Sequence, residues 1–359
     1  MPAIPTEHDV LTALKGVKDP DLGRDLVDLG MIKDVRVQEG SVSLTVNLTT
    51  PACPLKAQIE RDVREALAGR LGRDLRIHVN MTAEVRGKGV KDKGDIPGVK
   101  NVLAVGSGKG GVGKSTMAAA IAYGLQSYGA MVGLMDADVY GPSIPHLVGA
   151  KGRPMARGER IQPIEAHGLR VMSTGFLLEP DAAVIMRGPM LHGIMQQFLH
   201  QVDWGELDYL IIDLPPGTGD VPLSLSQALP LTGAVVVCTP QEVALLDAVR
   251  AVSMFRKLNV PLLGMVENMS FLDVPGGERL YPFGHGGARR KAEELGVPFL
   301  GAVPLVINLR ERGDAGQLHD ALAPDAPARP HLAAVVEALA AQISIQNLKK
   351  TRFPKLEIL

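Results

Sequence analysis

The chain has 359 residues, with 38 Lys plus Arg against 39 Asp plus Glu, a net charge of −1, and 4% aromatic residues. A near-neutral balance argues against a general nucleic-acid coat, and two cysteines exclude both a disulfide framework and a four-thiolate metal site within one chain. No apolar run approaches the ~18 residues of a membrane span. No apolar stretch follows Met1, so a signal peptide is not read, and a cytoplasmic protein of about two domains is expected.

Thr6-Glu7-His8-Asp9 reads as a capping box that opens a helix with Val10, Leu11 and Leu14 on one face. Residues 31–37 read as a strand and Glu39-Gly40 as a turn. Residues 41–48 alternate Val42, Leu44, Val46 and Leu48 as a half-buried partner strand. A helix is expected from about Pro54, with Ile59, Val63, Ala66 and Leu67 apolar, and a third strand over 75–79. These elements predict a small α+β domain over residues 1–84. Residues 85–98 are rich in glycine and charge and read as a flexible linker.

From residue 99 the pattern changes. Residues 102–105 form a short apolar strand that runs into a glycine loop, and a helix is expected over 114–127. Further apolar runs lie at 131–135, 209–212, 234–238 and 261–266. Continuous Val/Ile/Leu runs mark strands buried on both faces, as in a parallel sheet wrapped by helices. Helical stretches at 243–257, 286–295 and 329–343 separate or follow them. The alternation predicts a doubly wound, mainly parallel α/β domain over 99–345, followed by a basic tail at 346–359.

Gly108-Lys109-Gly110-Gly111-Val112-Gly113-Lys114-Ser115 fits G-x-x-x-x-G-K-[ST] between a strand and a helix. Glycines let backbone N–H groups turn inward around phosphates, and the helix N-terminus adds its positive dipole. Lys114 places a charge on the phosphates, and Ser115 offers a hydroxyl to Mg²⁺. Residues 108–115 therefore form the expected phosphate site. Lys109 is poorly placed for its own phosphates but suits a reach across a two-fold axis. Asp138, in Asp136-Ala137-Asp138, suits orientation of the attacking water or of the metal's hydration shell. Asp213 ends an apolar strand, the position from which a carboxylate binds Mg²⁺, usually through water. Gly217, four residues on, offers an N–H that can sense a γ-phosphate.

The loop together with Thr116 resembles the deviant Walker A of the nitrogenase iron protein, MinD and ParA class. Asp136-Ala137-Asp138-Val139-Tyr140-Gly141-Pro142-Ser143, Asp213-Leu214-Pro215-Pro216-Gly217-Thr218-Gly219-Asp220, Val266-Glu267-Asn268-Met269-Ser270 and Phe283-Gly284-His285-Gly286-Gly287-Ala288 narrow the resemblance to the Mrp/ApbC branch of ATP-dependent iron–sulfur cluster carriers. Leu48-Thr49-Thr50-Pro51-Ala52-Cys53-Pro54-Leu55 resembles the small iron–sulfur assembly domain that many members carry in front. The resemblance implies a slow, Mg²⁺-dependent ATPase that acts as a homodimer and hands clusters to apoproteins or assembly factors. It also implies that Lys109 reaches the partner subunit's phosphates and that Asn268 hydrogen-bonds adenine. The charge balance, and Pro354 interrupting the basic stretch 349–359, make neither nucleic acid nor a membrane an expected partner.

One departure matters. Cluster-binding members carry Cys-x-x-Cys shortly after the strand ending in Asn268, and residues 270–279 hold no cysteine. Cys238 lies in an apolar strand and reads as core. Cys53 sits just before a helix N-terminus, which favours the thiolate, and is the candidate contact for a labile cluster. His285, in a glycine-rich turn, reads as a capping or switch-side contact. The alternative reading is a MinD/ParA-like ATP-driven dimerisation switch that acts on a protein partner without a metal.

Overall fold

The protein is described here by a computed structural model covering residues 5–72, 75–87, 94–177, 188–274 and 276–351. The chain divides into two compact units, Met1–Arg86 and Gly87–Leu359.

In the first unit, Thr6 and Asp9 form the capping box of α1 (Glu7–Leu14). Strands β1 (Ile32–Gln38) and β2 (Ser41–Leu48) pair antiparallel, and β3 (Arg76–Ala83) joins β2 in parallel through the crossover helix α2 (Lys56–Leu71). A parallel pair needs such a crossover because a tight turn cannot reverse the chain twice. The inward positions Val42, Leu44 and Val46 are at most 2% exposed, as are Val10 and Leu14 of α1 and Ile59, Val63 and Leu67 of α2. Each such burial stabilises by about 1.5–3 kcal/mol. The third strand runs four residues beyond the expected 75–79, because Asn80–Ala83 continue the ladder against Thr45–Leu48.

Among the described residues, the main sheet of the second unit has eight strands: β4 (Val99–Gly106), β5 (Val132–Asp136), β6 (Ile164–Ala166), β7 (Leu169–Ser173), β8 (Leu207–Asp213), β9 (Gly233–Cys238), β10 (Leu262–Glu267) and β11 (Phe299–Ala302). Their spatial order is β6-β7-β5-β8-β4-β9-β10-β11, and only the β6/β7 pair is antiparallel. Around them lie α3 (Lys114–Ser127), α4 (Ile144–Leu147), α5 (Gly188–His200), α6 (Asp220–Ala228), α7 (Glu242–Lys257), α8 (Gly287–Leu295), α9 (Ile307–Asp314) and α10 (Arg329–Thr351). This is the expected doubly wound α/β fold. The chain turns outward in opposite directions from β4, which makes the carboxyl ends of β4, β5 and β8 the natural ligand crevice.

Strands β6, β7 and β11 escape the sequence reading because they are short, lie toward the sheet margins and carry interrupting residues such as Arg170 and Gly301. Helix α10 continues past 343 to Thr351, since Ser344 and Asn347 are buried and the Asn347 amide donates to Asn101 Oδ1 at 2.9 Å. Residues 88–93 of the expected linker and 352–359 of the expected tail lie outside the described residues. No helix among the described residues is long and apolar enough to cross a membrane.

Candidate nucleotide site

The loop between β4 and α3 is shaped by close packing. Gly113, the N-cap of α3, has φ +81°, in the region that favours glycine, and a Cβ there would also strike the Asn268 amide. A Cβ on Gly108 would collide with the backbone of Asp247 on α7. The loop therefore rests directly on one helix and one side chain, and Gly108 and Gly113 are steric requirements.

Lys114 opens α3 and is 6% exposed. Its ammonium lies 2.6 Å from Asp213 Oδ1, 3.8 Å from Asp138 Oδ2 and 3.2 Å from Ser115 Oγ. Asp213 and Asp136 end neighbouring strands in register, and both are fully buried. The Asp136 carboxylate accepts hydrogen bonds from Asp138 N at 3.1 Å, Ile144 N at 3.2 Å and Ser173 Oγ at 3.1 Å. It ties the loop after β5 to the strand end that carries it. The motif Asp136-Ala137-Asp138 was the available signal for this residue, whereas the sequence reading singled out only Asp138, for orienting water or the metal's hydration shell.

Burial pushes all three carboxyls above the usual carboxylate range. Asp136 rises to about 8, with the neighbouring Asp213 adding to the burial. Asp213 and Asp138 rise as well, opposed by the Lys114 charge. Among the described residues, Lys114 thus faces three acids, and Asp213 Oδ2 is buried with no hydrogen-bond partner. Burying a carboxylate oxygen without a partner is costly. That oxygen and the Ser115 hydroxyl fit the donor set of a hard cation.

The other expected residues take these places. Lys109 is half-exposed, and its carbonyl accepts Ser107 Oγ at 2.9 Å. The Gly217 N–H donates to the Ser107 carbonyl at 2.9 Å, so it must exchange that partner to meet a phosphate. Asn268 is 5% exposed, and its Nδ2 donates to the Val112 carbonyl at 2.9 Å. This amide supports the loop itself, a contact beyond the adenine role implied by resemblance. We expect Asn268→Ala to weaken ATP binding by about tenfold, ~1.4 kcal/mol, and to narrow the preference for ATP over GTP. Titration with both nucleotides checks this, and unchanged selectivity would show that the base is read elsewhere.

The two cysteines differ in burial. Cys238 is 1% exposed in β9, and its thiol is pushed up to about 12 by burial and by Glu267. Cys53 is half-buried in the first unit, three residues ahead of α2, with its carbonyl accepting Lys56 N. No group of three or more His, Cys, Asp or Glu suited to a metal occurs among the described residues. Where the resemblance places Cys-x-x-Cys, a short ribbon pairs Leu272–Asp273 with Arg279–Leu280. Arg279 grips Asp273 through two contacts, at 2.7 and 3.3 Å, and lies over the Phe271 ring. His285 packs its ring edge-on to Tyr281, and its carbonyl accepts Arg290 Nη1 at 2.9 Å.

Comparison with known proteins adds to this geometry. Residues 98–340 match the family described as NUBPL iron-transfer P-loop NTPase, and residues 7–79 match iron-sulfur cluster assembly protein. A protein of Deinococcus radiodurans named iron-sulfur cluster carrier protein is 51% identical, covering 95% of this chain and 97% of its own. One of the same name from Synechocystis is 47% identical over 96% of this chain and 99% of its own. A solved nucleotide-binding protein from Archaeoglobus fulgidus in complex with ADP is 41% identical, with a TM-score of 0.57, over 62% of this chain and 88% of that one. The cell division ATPase MinD of Pyrococcus furiosus, 18% identical with a TM-score of 0.52 over 66% of this chain and 97% of that one, shares the fold.

Proposed function

The chain belongs to the family of NUBPL-type iron-transfer P-loop NTPases, and from that premise we propose that it hydrolyses Mg·ATP and carries iron–sulfur clusters to apoproteins. The observation that carries the nucleotide half is the set Lys114, Asp213, Asp138 and Ser115 gathered at the mouth of the glycine loop. Ser115 and Asp213 would hold Mg²⁺, which when bound supplies positive charge to the phosphate oxygens. Lys114 leaves its carboxylate partners for the phosphates. Asp138 orients the attacking water. Lys109 reaches the phosphates of a second copy, so turnover belongs to a homodimer. Val243 and Leu246 on the first turns of α7 are 66% and 54% exposed. Asp247, against which Gly108 packs, directly follows Leu246, so these apolar side chains support a self-association face at the loop.

The cluster is cargo. Full-length relatives named as carriers favour this reading over a metal-free switch. With Cys238 sealed in the sheet, Cys53 is the thiolate we assign to the cluster, and external thiols complete its shell. Such a cluster is labile, because iron–sulfur clusters are held by four strong ligands. The expected setting is the cytoplasm. The test is anaerobic reconstitution with ferrous iron and sulfide, reading visible absorbance per chain alongside ATP turnover. We expect Cys53→Ser to lose the cluster absorbance and keep turnover within about twofold, ~0.4 kcal/mol. A cluster that survives Cys53→Ser identifies another ligand. No cluster in the wild type under any anaerobic condition sinks the carrier reading.

A further inference from the structure

Glu267 ends β10 and is 1% exposed. A carboxylate this deep is costly unless its oxygens are satisfied, and both are. Oε1 accepts the Ser270 hydroxyl at 2.5 Å, and Oε2 accepts the Ala288 N–H at 2.7 Å. These partners flank the excursion of the chain over residues 271–287, which carries the ribbon described above. Ser270 stands at its entry and Ala288 at its exit. The exit is the start of α8, whose N-cap Gly286 has no side chain to offer. Glu267 satisfies one of the helix's orphan N–H groups from another element.

The surroundings lead back to the glycine loop by two routes. The next residue, Asn268, holds the Val112 carbonyl. Gly287 of α8 lies so close to Pro240 and Leu245 that an added Cβ would stand 2.5 Å from the Pro240 carbonyl oxygen and 2.7 Å from a Leu245 methyl. Leu245 belongs to α7, the helix on which Gly108 rests. Glycine loop, α7, α8, Glu267 and Asn268 thus form a closed ring of direct contacts. Packed contacts of this kind move between discrete arrangements and do not flex smoothly.

We infer that Glu267 is a positioning residue that clasps both ends of the 271–287 excursion to the strand end supporting the phosphate loop, and so passes nucleotide occupancy to the ribbon. The inference rests on the nucleotide site proposed above. The clasp works by hydrogen bonding and not by charge. Gln at this position keeps both links, because its oxygen accepts from Ala288 N and its amide donates to Ser270 Oγ, a hydroxyl that also accepts.

The test is hydrogen exchange of the full chain with and without Mg²⁺ and a non-hydrolysable ATP analogue, whose binding is measured first. In the wild type, the analogue should slow exchange of amides in 271–287 by at least about tenfold, ~1.4 kcal/mol, together with those of the phosphate loop. Glu267→Ala should keep the loop response and lose the response of 271–287. Glu267→Gln should restore it, and Ser270→Ala, which cuts one link only, should show a partial response. A merely structural role would lower protection equally with and without the analogue. The inference is overturned if the wild type binds the analogue with no response in 271–287, if Glu267→Ala keeps that response, or if Glu267→Gln fails as Ala does. Should Glu267→Ala not fold, Ser270→Ala and Glu267→Gln decide between the same outcomes. A wild type that binds no analogue overturns the nucleotide reading, and the inference with it.

Discussion

Lys114→Ala loses ATP binding by at least about a hundredfold, roughly 2.8 kcal/mol, and loses stability at the same time. Among the described residues Lys114 is the cation paired with Asp213 and Asp138, at 2.6 and 3.8 Å, and it is almost fully buried. Removing one partner of a buried ion pair costs about 3–5 kcal/mol, because the other charge is left without compensation. Weakened binding alone is therefore ambiguous. The pair Lys114→Met with Asp213→Asn separates the effects. The double variant removes the unpaired charge and recovers most of the stability in urea unfolding, with non-additive coupling between the two sites. It does not recover ATP affinity, since nothing replaces the charge on the phosphates. A stable Lys114 variant that binds ATP as the wild type does would remove Lys114 from the site.

Lys109→Ala separates binding from turnover. Lys109 is half-exposed in the loop, while Lys114 is the lysine held within it. Its loss should leave ATP affinity within about tenfold, ~1.4 kcal/mol. Turnover should fall at least about a thousandfold, the scale of a charge delivered in trans to a phosphoryl transition state. The dependence on protein concentration is the second readout. Wild-type turnover per chain rises with concentration as dimers form, whereas Lys109→Ala stays low throughout. Mixing Lys109→Ala with a Lys114 variant that binds no ATP provides the cross-check, because one mixed site then pairs a bound nucleotide with an intact Lys109 from the other subunit. Recovery of activity on mixing places the lysine in trans. Unchanged turnover in a strictly monomeric Lys109→Ala would refute the assignment.

Much of the site was legible because its requirements are local. A strand, a run of glycines and a lysine at the first helical turn are contiguous, and the spacing of Gly108, Gly113, Lys114 and Ser115 states the geometry of a phosphate cradle without reference to the rest of the chain. Asp213 was legible for the same reason, as a carboxylate closing an apolar strand. The doubly wound second unit followed from unbroken Val/Ile/Leu runs, which only strands covered on both faces can tolerate in this number. Short margin strands such as Leu169–Ser173 and Phe299–Ala302 did not, since their pairing partners, and not their own pattern, make them strands.

By itself the sequence determined the phosphate loop, its lysine and hydroxyl, the strand-ending acids, the α/β class and the absence of cysteine from residues 270–279. All of these are matters of composition or of spacing within a few residues. Only the tertiary structure decided which of these groups share a charge. Lys114 and Asp213 stand 99 positions apart in the chain, and Asn268 and Val112 156 positions apart. Register between β5 and β8 sets Asp136 beside Asp213, one oxygen of which has no hydrogen-bond partner among the described residues. The twin role of Glu267 depends on α8 returning to the end of β10, which no local pattern encodes. The physical reason is common to these cases. Burial raises the energetic consequence of each polar contact, and burial is a property of how sheet and helices close over a residue, which the residue's neighbours in sequence do not specify.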